Sequence, residues 1–459
     1  MASYRTVALT VSTAIFMQYL DATALNTALP SIARDFDVPA VRLNVAILAY
    51  LIPLAAFIPV GNIAADRLGA RNAFAASLAI FLTGSLLCAL SQSLPALVAS
   101  RAIQGLGGAL MMPLARQIVV RSAAKHELVS AIGWLLIPGT IGPLLGPLAG
   151  GLVVTYASWQ WIFLINIPVG LLGIALTLAL VPDDGVRASA RIDVIGVLLI
   201  AATLVCLIFG LEGLAGPDVG LKAIALVFAG LLIGAVYVRH ARRTPTAPLD
   251  LSLLQVGSFR QSMVSGTLLR LVVSATNFLF PLWFQLAMGM NAAESGLLIV
   301  AIALGALLSR FVSARLVRLA PPRSLSVIAA ALVVLTVLAT SSLGPDSPRP
   351  LFFALLLAQG FTVNVALVII AAVAYVDIPP ERLGAATGLY TTLQQLTLSL
   401  GVTAGVWAVG IMAWFGHSDT DRFTYSGSLV ILAGVAAAGV YATAKISRSS
   451  LESLRKRDA

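Results

Sequence analysis

Fourteen apolar stretches, each about 20 residues or longer, divide this chain. They lie at approximately 6–30, 43–64, 72–92, 95–118, 127–156, 160–182, 192–212, 220–239, 258–288, 293–314, 324–343, 350–376, 385–415 and 425–446. A helix needs roughly 20 apolar residues to cross the hydrocarbon layer, so each stretch is a candidate span. The runs are continuous and lack the ten-residue alternation of a barrel strand. Helices are then the structures that pair every backbone polar group in lipid. Composition agrees: 59% of the 459 residues are hydrophobic and only 10% charged, where a soluble domain carries about 25% charged residues. Cys88 and Cys206 both sit inside apolar runs, which implies neither a disulfide scaffold nor a metal cluster. The expected class is an all-α integral membrane protein.

Lysine and arginine set the orientation. With the N-terminus inside, most of the 29 fall in cytoplasmic segments. Arg34, Arg42, Lys222, Arg349 and Arg422 fall outside, and Arg101 and Arg270 within spans. Clusters such as Arg239, Arg242, Arg243 and Arg455–Lys456–Arg457 carry much of the bias. The net charge of +10 is then explained by basic loops beside an anionic inner leaflet, and calls for no nucleic acid. Residues 1–5 lack a cleavable signal pattern, so the first span is expected to be retained.

The chain also resembles itself. An ungapped offset of 255 residues pairs Gln104–Gly105 with Gln359–Gly360, Leu128 with Leu383, and Gly133 with Gly388. It further pairs Gly146 with Gly401 and Gly150 with Gly405. The chain reads as an N-terminal six-helix bundle (1–182), an inserted helix pair with cytoplasmic linkers (183–250), and a C-terminal six-helix bundle with a basic tail (251–459). Two membrane halves related by a repeat suit a rocking carrier, with its substrate site between them near the midplane.

Ionisable groups deep in spans are costly and therefore mark candidate sites. Of the acidic residues, Asp21 alone falls well inside a span, and Gln18 shares its helix face at i, i+3. Burial raises a carboxyl pKa and a nearby arginine lowers it. Asp21 could exchange a proton as its surroundings alternate, or could form a permanent ion pair with Arg101; sequence leaves both open. Gln104, Gly105 and Gly108 follow Arg101 along one small, polar face. At the repeat offset Arg101 becomes Leu356, so this charge belongs to one half only. Arg270 could balance Asp21, contact an anionic part of a substrate, or snorkel to a rim. Gly142, Gly146 and Gly150 form a stripe at i, i+4, i+8 that permits close helix contact, while Pro143 and Pro147 favour a bend. The segment Gly61–Arg71 reads either as a cytoplasmic clamp or as an ordinary charged loop.

These segments resemble the major facilitator superfamily, specifically its fourteen-spanner drug:proton antiporter family. Leu20 to Pro30 is similar to that family's first-helix signature, whose acidic residue is linked to proton coupling. Asp66, Arg67, Gly69 and Arg71 match the superfamily's gating loop, with the leading glycine at Gly61 rather than at position 62. Arg101–Gly105 is similar to the fourth-helix motif. Gly142, Gly146, Pro147, Gly150 and Gly151 match GxxxGPxxGG, which in the family distinguishes exporters from importers. Trp159 to Gly170 resembles a run typical of the fourteen-spanner branch. The counterpart of the gating loop in the second half, around Ser313–Arg323, lacks both aspartate and glycine, and no gate role is carried onto it.

The resemblance implies a monomeric inner-membrane antiporter with both termini cytoplasmic, exporting small, largely apolar organic compounds in exchange for protons. Asp21 would carry the proton with Arg101 as partner, and Asp66, Arg67, Gly69 and Arg71 would latch the cytoplasmic side. The glycine stripe would pack against the span at 293–314, which offers Gly296, Ala301 and Gly305. Gln18, Gln104, Arg270, Asn277, Trp283, Gln285, Tyr390 and Gln394 are candidate substrate contacts. Partners reduce to substrate, protons and lipid. No Walker-type loop is present, so the expected energy source is the proton gradient, with no cofactor and no metal. Rival readings are a specific metabolite exporter of the same fold and, further off, a membrane receptor or scaffold. The spans hold no His-rich or paired-acid cluster of the kind an intramembrane enzyme needs.

Overall fold

The computed structural model describes residues 3–447 apart from 59, 125–126, 183–192, 215–219, 245–246 and 419. Among the described residues the secondary structure is helical throughout. The helices are α1 (Tyr4–Asp35), α2 (Asn44–Phe57), α3 (Val60–Leu68), α4 (Ala70–Ala89), α5 (Leu94–Ser122), α6 (Leu128–Tyr156), α7 (Trp161–Leu164) and α8 (Asn166–Leu180). They continue with α9 (Val194–Gly213), α10 (Leu221–Ala241), α11 (Gly257–Leu282), α12 (Ala292–Leu319), α13 (Pro322–Ser341), α14 (Arg349–Val373), α15 (Leu383–Trp414) and α16 (Arg422–Ala444).

Thirteen spans among the described residues are long and apolar enough to cross a membrane. Helix α1, though 32 residues long, is not in that set. Gln18, Asp21 and Asn26 interrupt its apolar run, which is the same feature that makes it a candidate site. The outward surface is oily: Phe228 and Phe311 are more than two-thirds exposed, and Leu231, Leu232 and Leu335 more than half. Large side chains of this kind in contiguous numbers are stable against lipid and not against water. The protein is a multi-pass integral membrane protein.

Local chemistry sets the helix ends. Proline stands in the first turn of α5, α13 and α14, where its missing N–H costs nothing. Asn291 and Glu294 form a reciprocal capping box at the start of α12. A π-helical turn at Trp283–Ala287 follows Pro281, a residue that cannot donate back to the carbonyl of Asn277.

The chain separates into two compact units, Met1–Leu207 with Val227–Pro248, and Ile208–Leu226 with Leu249–Ala459. The inserted pair α9 and α10 is thus shared between them. In the first unit α1 packs on α6 and α8, α2 on α5, and α4 on α5 and α8. In the second, α11 packs on α15 and α16, α12 on α14, and α13 on α14 and α16. The pairing pattern repeats, and its glycines repeat with it. A Cβ at Gly150 would lie 2.6 Å from the Ala24 carbonyl of α1, and one at Gly401 would lie 2.5 Å from Ser274 of α11. Gly105 meets the Tyr50 carbonyl as Gly360 meets that of Ile302.

Two polar clasps lie at helix ends. Asp193 accepts from Gly196 N at 2.8 Å and lies 2.8 Å from His240 Nε2, joining the start of α9 to the last turn of α10. Arg382 donates to Asp250 Oδ2 at 2.6 Å, and the Ser252 hydroxyl donates to Oδ1 at 2.6 Å. Partial burial pushes the Asp250 carboxyl up, but the bonds from Ser252 and Arg382 outweigh it and hold it below its usual value. A carboxyl depressed in the fold stabilises the fold above its unfolded pKa, and that stability is lost as pH falls through the folded value. Asp250→Asn is therefore expected to lower the thermal midpoint modestly at pH 7. The gap from wild type should close as pH drops below about 4, which a melting series against pH measures.

Candidate functional site

A sealed polar cluster in the first unit gathers side chains from five helices. Asp21 of α1 is 0% exposed and Arg101 of α5 1% exposed. Arg101 Nη1 donates to Asp21 Oδ2 at 2.6 Å and to Gln104 Oε1 at 2.6 Å. The other carboxylate oxygen, Oδ1, accepts from Gln104 Nε2 at 3.0 Å and from Asn166 Nδ2 at 3.1 Å. Ser85 of α4 accepts from Asn166 at 3.0 Å and donates to the Phe163 carbonyl at 2.9 Å. The Arg101 guanidinium lies 4.2 Å from the centre of the Tyr50 ring on α2, and its Nε donates to the Ala46 carbonyl at 3.4 Å.

Small residues make this convergence possible. A Cβ at Gly84 would sit 2.5 Å from the Gln104 backbone nitrogen, so α4 and α5 touch where Ser85 and Gln104 meet. Asn166 opens α8 beside the break at Ile165, which turns its amide toward α1. Two opposite charges stripped of water cost several kcal/mol each, offset only when geometry is good and the remaining bonds are made. Here both carboxylate oxygens and three Arg101 contacts are used. Arginine stays charged in proteins, so the carboxylate is the partner of this pair whose charge can change.

The first unit therefore brings Asp21, Arg101 and Gln104 together, and adds Asn166, Ser85 and Tyr50, which the sequence reading did not place there. Gln104 has its amide committed to Asp21, Arg101 and Ser85. Gln18, half-buried, points instead toward Gly108 and the Tyr50 hydroxyl.

Within the first unit the antiporter stripe packs on α1. A Cβ at Gly142 would lie 2.8 Å from Tyr19 Cβ, and one at Gly146 would overlap Thr23 Oγ1. Gly305, expected opposite this stripe, is used within its own unit, against the Leu357 carbonyl and Phe361 nitrogen of α14. The i, i+4, i+8 spacing presents a flat face, and α1, distant in sequence, takes it. Pro147, Gly150 and Gly151 are buried, and α6 stays one helix through Pro138, Pro143 and Pro147.

The expected gating loop is mostly helix. Asp66 and Arg67 belong to the last turn of α3, and the connection narrows to Gly69 at φ 77°. That positive φ favours glycine. Arg67 is exposed, and Arg71 Nε donates to Asn72 Oδ1 at 3.4 Å. The Asp66 side chain lies outside the described residues.

In the second unit, Arg270 and Tyr390 meet. Arg270 Nη2 donates to the Tyr390 hydroxyl, and the guanidinium lies 5.1 Å from the ring centre. Asn277 shares the α11 face of Arg270 at i+7, and Gln394 shares the α15 face of Tyr390 at i+4; both are half-buried. Trp283 is fully buried, stacked with Phe280 and Phe284 and edge-on to Phe352, with its indole N–H unbonded. Gln285, half-buried, lies in the π-helical turn. No group of three or more His, Cys, Asp or Glu able to hold a metal occurs among the described residues.

Residues 11–402 match the family model described as Major Facilitator Superfamily, and the chain belongs to that superfamily. It is a secondary-active transporter working by alternating access, not an enzyme. The chain is 32% identical over 457 residues to the "Probable transport protein HsrA" of Haemophilus influenzae, covering 99% of this chain and 98% of that protein. It is 33% identical over 420 residues to the "Putative multidrug resistance protein MdtD" of Escherichia coli, covering 90% and 88%. Among solved structures, a POT family transporter in complex with 5-aminolevulinic acid superposes with a TM-score of 0.70 at 14% identity, covering 95% and 94%. The nucleoside transporter NupG gives 0.68 at 14%, covering 96% and 99%. At such identity these two establish the fold alone.

Proposed function

We propose that this chain is a fourteen-span, proton-coupled antiporter of the bacterial inner membrane. It exports small, largely apolar organic compounds, acts as a monomer and keeps both termini in the cytoplasm. The observation that carries this reading is the sealed Asp21–Arg101 pair with every carboxylate oxygen bonded. Similarity to a protein named for multidrug resistance supports the direction and breadth of transport.

In the cycle we infer, the ionised Asp21 holds α1 to α5 through Arg101 and to α8 through Asn166. A proton taken up by Asp21 removes the charge that Arg101 answers, and the 2.6 Å contact loses most of its attraction. α1 is then free to shift against the α6 stripe, which reorients the unit. Release of the proton on the cytoplasmic side restores the pair. Asp66, Arg67, Gly69 and Arg71 form the cytoplasmic latch, and Gln18, Asn277, Trp283, Gln285, Tyr390 and Gln394 contact substrate. A specific metabolite exporter is the second reading, favoured by the buried Arg270.

The test uses purified protein in liposomes under an imposed pH gradient, screened with cationic, neutral and anionic compounds. The expected result is gradient-driven accumulation of several apolar compounds with matching alkalisation or acidification of the lumen. Accumulation that ignores the pH gradient for every compound contradicts the proposal.

A further inference from the structure

Arg270 is a buried cation without a counter-charge among the described residues. It is 6% exposed, and among the described residues no carboxylate comes within the 4.0 Å ion-pair distance of it. Its described hydrogen bond is the one to Tyr390. The N–H groups that bond leaves over are not among the sealed, partnerless polar atoms of the protein, so they retain access. Gly266, one turn earlier on α11, makes room for the guanidinium: a Cβ there would lie 2.5 Å from Nη1. An uncompensated charge held this deep is costly, and in a span it marks a substrate or ion path more often than a structural role.

The Tyr390 oxygen accepts from Arg270, which leaves its own O–H free to donate. Guanidinium N–H and phenol O–H groups thus lie side by side, and both are donors of the kind that hold a carboxylate. Half-buried Asn277 and Gln394 extend the same two helix faces with neutral amides. In the first unit the arginine is answered: Arg101 has the Asp21 carboxylate at 2.6 Å.

We propose that Arg270 and Tyr390 bind an anionic group, a carboxylate or its like, carried by an otherwise apolar substrate. This rests on the transport reading above and narrows its substrate class to amphipathic organic anions. Export of such an anion against proton entry moves positive charge inward on both counts. A membrane potential negative inside therefore drives the exchange together with the pH gradient.

The experiment measures binding of matched pairs to the purified full chain: 1-naphthoate with 1-naphthamide, and decanoate with decanamide. Wild type should prefer the anion of at least one pair by about tenfold or more, the strength of a charged hydrogen bond. Arg270→Met should abolish that preference, Arg270→Lys should keep part of it, and Tyr390→Phe should reduce it severalfold. A melting curve for each variant reports folding, and removal of a lone buried charge is expected to leave Arg270→Met at least as stable as wild type. Failure of every anion to outbind its neutral partner overturns the proposal, as does an unchanged preference in Arg270→Met. Proton-driven flux of neutral compounds in that case would leave the antiport reading standing, which separates the two failures.

Discussion

Arg101→Ala is expected to cost about 3–5 kcal/mol of stability, because it strands the Asp21 carboxylate in a site with 0% exposure. Gln104 and Asn166 would still donate to Oδ1, but Oδ2 would lose its partner and the cavity left by the guanidinium would open beneath Tyr50. Two charges removed together behave differently. Asp21→Asn with Arg101→Gln leaves a neutral, hydrogen-bonding cluster, and replacement of whole buried ion pairs is often close to neutral. The double variant should therefore melt well above Arg101→Ala. Melting curves in detergent for the single and double variants check this, and equal midpoints would show that the pair is not coupled.

Gly146→Leu is the second large effect. A Cβ at this position already overlaps Thr23 Oγ1 and comes within 3.0 Å of the Leu20 carbonyl. The Thr23 hydroxyl has little freedom to retreat, since it donates to the Tyr19 carbonyl at 2.7 Å. A full leucine side chain has to push α1 off α6. Overpacking of this kind costs about 1–3 kcal/mol and sometimes more, and the element displaced carries Asp21. Export should be lost even where protein reaches the membrane. Gly133→Ala on the same helix is the control: a Cβ there meets nothing within 4 Å, and alanine in a helix is favoured over glycine by about 0.5–1 kcal/mol. Normal export by Gly146→Leu would refute close α1–α6 contact as a requirement.

The buried aspartate was legible in the sequence, because an aspartate in an apolar run is rare enough to stand out. Arg101 and Gln104 were legible for the same reason, and the repeat through its glycines. Ser85, Tyr50 and Asn166 were illegible as site residues, since small polar side chains occur throughout spans and only packing reveals which of them meet. The α6 stripe was legible as a contact face, but its seat on α1 was not: spacing fixes that a face is flat, not what lies on it. The 61–71 segment looked like a loop because its charges cluster, yet the positive φ of Gly69 confines the break to one residue. Packing also aligns the two units more finely than sequence. Thr23 and Ala24 on the α6 stripe correspond to Ser274 and Ala275 on that of α15. In that register Val272 replaces Asp21 and Arg270 replaces Tyr19, so the two units carry opposite and separate chemistry.

Lumenal pH, followed in vesicles as substrate is added, compares the wild type with the Asp21→Asn/Arg101→Gln protein most directly. Wild type should move protons with substrate; the neutral pair should exchange substrate down its own gradient while lumenal pH stays flat. A proton signal of wild-type size from the neutral pair would place the coupling elsewhere.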